Sequence, residues 1–140
     1  MARTALLTAA AIIIAGIALV MILRPTAYYP VARIAAPEGV GLSFLQDRVA
    51  TEADCQVANQ RVTATMLANC KECHLAEARC AGEPPKELGQ THAGPQDMIA
   101  AKGLQILITA PPVAAHALCQ SLAAGIAAND ATAKCVQAAD

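Results

Sequence analysis

The chain has 140 residues, ten Lys and Arg against eleven Asp and Glu, and a formal net charge of −1. That balance offers no basic face for nucleic acid, and the sequence holds no GxSxG, HExxH or P-loop that would announce a hydrolase or nucleotide enzyme. With no tryptophan and Phe44 the only phenylalanine, the core is built from small aliphatics, and cross-links would have to compensate for the missing aromatic area.

A short tail, residues 1–4, precedes Ala5 to Leu23, an uncharged apolar run framed by Arg3 and Arg24. At a helical rise of about 1.5 Å per residue this run spans roughly 28 Å, so it reads as an uncleaved transmembrane anchor. Tyr28 and Tyr29, the only tyrosines, stand where an interfacial aromatic belt would. Residues 24–42, with Pro25, Pro30 and Pro37 among small residues, read as a linker.

Residues 43–140 read as one cysteine-rich extracytoplasmic domain. Ser43-Phe44-Leu45-Gln46 and Thr51-Glu52-Ala53-Asp54 both match a capping box, and no Pro or Gly interrupts Phe44 to Asn69. Leu45, Val49, Ala53 and Val57, continued by Val62 and Met66, predict a long helix there, with Cys55 facing inward. Leu75 to Cys80 fits a strand, and Ala81 to Pro95 a polar loop. Leu104, Ile106 and Ile108 alternate as a strand should. Thr109-Ala110-Pro111-Pro112 then starts a helix running to Ala127, with Ala114, Leu118, Leu122 and Ile126 as its buried stripe. After an Asn129-Asp130 turn, Ala131 to Ala138 would form a last short helix. No internal repeat is apparent. The expected fold is α+β: an N-terminal transmembrane helix, then a long helix, a small sheet and a C-terminal helical hairpin.

All six cysteines follow the apolar run: Cys55, Cys70, Cys73, Cys80, Cys119 and Cys135. An even number on one side of a membrane segment is what an oxidising compartment produces. Cys119 and Cys135 are a natural pair if the tail folds back on its helix. Among Cys55, Cys70, Cys73 and Cys80 three pairings stay open. Two bridges from Cys55 and Cys80 to Cys70 and Cys73 suit a structural clamp. A Cys70–Cys73 bridge would point to thiol–disulfide exchange, although the motif follows the C-terminal end of its helix, where the dipole raises a thiol pKa.

Cys70-Lys71-Glu72-Cys73-His74 is a CxxCH motif and resembles the haem-attachment site of c-type cytochromes over these five residues. The resemblance implies covalent haem c on Cys70 and Cys73 with His74 as iron ligand, and an anchored monohaem electron-transfer function. A zinc reading would use Cys70, Cys73 and Cys80 with His74 or His92, and needs reduced thiols. The leading reading takes no cofactor, no metal and no catalytic residue. It is an anchored, disulfide-stabilised accessory or assembly protein of a bacterial inner membrane, with its C-terminal domain in the periplasm. Its partners would be the membrane and a larger envelope protein complex.

Overall fold

The computed structural model describes residues 27–88 and 96–137. Six strands form one antiparallel sheet: β1 (Tyr29–Ala35), β2 (Gly41–Gln46), β3 (His74–Ala81), β4 (Met98–Ala101), β5 (Leu104–Thr109) and β6 (Lys134–Val136). Two α-helices, α1 (Glu52–Asn69) and α2 (Pro112–Ala127), connect β2 to β3 and β5 to β6. The strand order across the sheet is β3-β1-β2-β5-β4-β6.

That order contains a duplication. Each half runs strand, strand, helix, strand, and in each half the last strand pairs with the first. The halves join where β2 meets β5, and Phe44 faces Ile106 there. Outward from that pair, Ala32 and Ile99 are equivalent, then Ala78 and Cys135. Ala78, Ala32, Phe44, Ile106, Ile99 and Cys135 therefore form one transverse row under both helices. The helices repeat the same logic: the buried positions are Cys55, Asn59 and Thr63 in α1, and Ala115, Cys119 and Ala123 in α2. Both sets begin at the fourth helical residue and recur every four.

Sequence patterning explains each layer. Ala32, Ile34, Leu42, Phe44, Ile99, Ile106 and Ile108 face the helices and make the main core, with Val62, Met66, Leu118, Leu122 and Ile126 packed against it. The alternate residues Val31, Leu45, Met98 and Leu107 face the other way and are closed over by Leu88. Burial of each such aliphatic side chain contributes about 1.5–3 kcal/mol. The β4–β5 hairpin turns through Lys102-Gly103, and Gly103 takes φ +72°, a conformation that an L side chain resists. Thr51 caps α1, its hydroxyl accepting from the Asp54 backbone N–H at 3.1 Å.

The structure corrects several expectations. The predicted long helix begins at Glu52, not Phe44, because Leu42, Phe44 and Leu45 are used by a central strand with apolar neighbours on both faces. The four-residue step through Val57 is therefore not a core stripe, and Val57 is 53% exposed. Residues 29–35 form β1 rather than linker, because Pro30 sits second in the strand, near its end, where a missing N–H is tolerated. Tyr28 and Tyr29 belong to the sheet: Tyr28 exchanges two backbone hydrogen bonds of 2.8 Å with Val49, and Tyr29 opens β1.

The C-terminal helical hairpin is replaced by strand β6. Alanine's helix preference loses to pairing with β4 and to the bond from Cys135 to Cys119. The stripe of α2 is centred on Ala115, Cys119 and Ala123, one position from the expected Ala114, Leu118 and Leu122. No helix among the described residues is long and apolar enough to cross a membrane. The anchor expected at 5–23 lies outside the described residues, and the described helices do not support placement as a single-pass inner-membrane protein.

Candidate functional site

Each helix is tied to the terminal strand of its own half. Cys55 at the start of α1 bonds Cys80 in β3, and Cys119 in the middle of α2 bonds Cys135 in β6. Cys119 and Cys135 are the pair expected from their spacing, although the partner element is a strand. Cys55 and Cys80 pair with each other instead of reaching to Cys70 and Cys73. The reason is geometric: the antiparallel return of β3 beneath α1 brings its last residues level with the helix start.

Cys70 and Cys73 bond one another across the tight turn that leaves α1, with a Cα–Cα distance of 5.3 Å. Cys70 is the C-cap residue, and the Cys73 N–H donates to the Cys70 carbonyl at 3.3 Å. A thiol at this end of a helix faces its negative pole, which disfavours the thiolate needed for exchange. His74 follows as the exposed first residue of β3. The sulfurs that haem thioethers would use are thus joined to each other, and the three sulfurs of the zinc reading all lie in disulfides. His92 lies outside the described residues.

A second constellation was not legible from spacing. Asp97, His116 and Cys135 place one ligand atom each within 4.8 Å of one another. Cys135 is bonded to Cys119, so it offers no thiolate to a metal or a substrate. Asp97 Oδ2 stands 3.7 Å from His116 Nδ1. On the other side of the ring, His116 Nε2 lies 3.0 Å from Gln120 Nε2 and 3.2 Å from Gln137 Nε2. Nε2 has one in-plane lone pair, which accepts from one of these amides when the ring is the tautomer protonated at Nδ1. The nitrogen that would serve as a general base is therefore occupied, and the cluster reads as a polar clasp between α2 and the C-terminal strand.

A third feature lies along the β3 edge. Glu52, Gln56, Asn59, Gln60 and Thr63 of α1 face Leu75, Ala78, Arg79 and Cys80 of β3 across an open groove of about 370 Å³. Asn59 is only 5% exposed. Its Nδ2 donates to the Arg79 backbone carbonyl at 2.9 Å, while its Oδ1 has no hydrogen-bond partner. Leu75, at 43% exposure, is one of the few large apolar side chains left open to solvent. On the same strand, Glu77 pairs with Arg79 at 2.8 Å and approaches Arg33 at 3.7 Å. The sequence hid Asn59 because a polar residue on a helix reads as solvent-facing. The usable sign was that Cys55, Asn59 and Thr63 recur every four residues, in phase with one another.

Compared with protein-family models, curated proteins and solved structures, the chain matches none.

Proposed function

We propose that this chain is a disulfide-braced docking domain, an accessory or assembly subunit that presents a rigid surface to a larger protein in an oxidising compartment. The carrying observation is that each edge strand is covalently stapled to the helix above it, Cys55 to Cys80 at one edge and Cys119 to Cys135 at the other. Edge strands are the most easily frayed part of an open sheet, and bracing both fixes the outline of the domain. Three disulfides in a chain this small also suit a place where thiols stay oxidised. Two further observations support a binding role over a catalytic one: the nucleophilic sulfurs are all in bridges, and two glutamine amides crowd His116 Nε2 at 3.0 and 3.2 Å.

The test is the intact mass, visible spectrum and native mass of the full chain, made in oxidising cells able to mature c-type haem. The docking reading expects a colourless protein lighter than its sequence by six hydrogens, one pair per disulfide, that co-purifies from its native cells with a second polypeptide. A Soret band with the added mass of one haem would overturn it in favour of electron transfer through Cys70, Cys73 and His74. A colourless chain that is monomeric in native extracts would overturn it as well.

A further inference from the structure

The two edges of the sheet are built alike but finished differently. In the second half, Cys119 occupies the middle buried position of its helix and Cys135 the outer end of the transverse row, and their bond seals the seam between helix and strand. In the first half the equivalent residues are Asn59 and Ala78. The staple there has moved one helical turn earlier, to Cys55, and one side chain further along the strand, to Cys80. The seam between Asn59 and Ala78 is left open, and that opening is the groove of about 370 Å³.

The edges also differ in length. β6 is three residues long and carries Lys134, two ordinary protections against unwanted strand pairing. β3 is eight residues long and, among the described residues, pairs only with β1, so no described strand lies along its other side. The Arg79 carbonyl at this edge accepts from Asn59 Nδ2, so the helix side chain reaches the backbone of the strand there. Beside it, the Asn59 Oδ1 is a buried acceptor with no donor among the described residues, which is destabilising unless something donates to it.

We propose that this seam binds an extended peptide segment of another polypeptide, which adds as a further strand on the β3 edge beneath α1. The inference deepens the docking reading and rests on it. A peptide strand presents alternating N–H and C=O groups to an edge and alternating side chains to the flanking surfaces. Asn59 Oδ1 is sealed from solvent in the free domain, so one of the segment's N–H groups reaches it only when the carboxamide turns outward, where it continues the ladder. A side chain on the helix-facing side reaches exposed Leu75, and the carboxylate of Glu52 favours a basic residue at the Cys80 end of the segment. The groove volume falls in the ~300–1,000 Å³ range of small-ligand sites and suits a segment of a few residues rather than a whole second sheet.

The probe is a phage-displayed library of random linear peptides selected against the oxidised full chain, with the best binder synthesised and titrated. Three variants of the protein are compared. Asn59→Cys with Ala78→Cys copies the bond of the other half and closes the seam. Gln60→Trp fills the groove from an exposed helix position, where folding is little affected. Lys134→Trp alters the opposite edge as a control. The expected result is a loss of affinity of about tenfold or more in the first two variants and none in the third. Methylating alternate backbone nitrogens of the peptide should weaken binding similarly, and amides on the outward side of β3 should become protected from exchange when the peptide binds.

Binding that survives both Gln60→Trp and the engineered bond would overturn the site while leaving the docking reading intact, since the peptide would then sit elsewhere on the domain. Insensitivity to backbone methylation would overturn strand addition. Failure to select any peptide, or pairing of β3 with β3 of a second copy in sedimentation, would overturn the proposal, and co-purification from native cells decides the docking reading separately.

Discussion

Alanine replacement of each disulfide in turn tests whether the two halves are equivalent in energy as well as in outline. The bridges span sequence separations of 25 for Cys55–Cys80, 16 for Cys119–Cys135 and 3 for Cys70–Cys73. Loop-closure entropy of the unfolded chain then gives stabilisations of about 3.5, 3.1 and 1.6 kcal/mol respectively at room temperature. Cys55 and Cys119 are fully buried, so truncating either adds a small void and up to about 1 kcal/mol of further loss. Cys70 and Cys73 are half-buried at a turn and add less. Either helix-to-strand bridge should therefore cost about 3–4.5 kcal/mol, and the turn bridge about 1.5–2. Urea unfolding at constant slope reads this directly: with slopes of about 1–3 kcal/mol per molar, the midpoint should fall by about 1–4.5 M for either staple and by roughly half as much for the turn bridge. Equal losses for all three would refute the loop-length argument. Two separate transitions after loss of one staple would refute the view that the β2–β5 junction makes the halves one cooperative unit.

Other substitutions probe the sheet and its turns. Phe44→Ala should lower stability by about 3–5 kcal/mol in the same assay, because this 1%-exposed side chain sits where the halves meet, whereas Val57→Ala should change it by less than about 0.5. Gly103→Ala should cost about 1–2 kcal/mol by thermal melting, since φ is +72° and the added Cβ would stand 3.1 Å from Asp47 Oδ2. Asp130 predicts an acid response. Its carboxyl is held below the ordinary value of 3.8, chiefly by the Thr132 hydroxyl and then by the Thr132 and Lys102 backbone N–H groups. The ionised form is the one favoured by folding, so its contribution is present above the unfolded value and disappears as pH falls through the lower folded one. Asp130→Asn should therefore lower the urea midpoint near neutrality and flatten its decline below about pH 4.

Local signals survived folding where packing agreed with them. The alternation of Leu104, Ile106 and Ile108 became β5, the double proline opened α2, and Thr51 capped α1 by accepting from the Asp54 N–H. They failed where a residue answers to the sheet rather than to its own segment. Leu45 fits a helical stripe by spacing, yet it lies under Leu88 on the far face of the sheet. Ala131 to Ala138 reads as helix by composition, yet Ile99 and Met98 supply a strand for Cys135 and Val136 to pair with. The duplication was invisible for a related reason. Equivalent positions hold Cys55 and Ala115, Asn59 and Cys119, Thr63 and Ala123, which share burial but not chemistry. Of the candidate site, the cysteines were visible and their partners partly so, whereas the groove depends on which residue of a helix overlies which residue of a strand.

That dependence is also what gives the groove meaning. A helix laid on an antiparallel sheet can be stapled to the edge strand at any position where an inward helical residue meets an inward strand residue, and each turn of helix offers about one such meeting. The second half uses the central one, Cys119 to Cys135, and closes its edge. The first half uses an outer one, Cys55 to Cys80, which holds the start of α1 against the end of β3 and leaves the middle of the seam unjoined. Stability alone does not require the difference, since a bridge between positions 59 and 78 would close a loop of similar length and forfeit little of the chain-entropy gain. The choice instead puts a buried carboxamide with an idle acceptor beside an eight-residue strand whose outer edge no described strand covers. An edge kept both rigid and unpaired is a liability in solution unless something pairs with it. The moved disulfide and the unsatisfied Asn59 thus point to the same seam from independent directions, one covalent and one electrostatic.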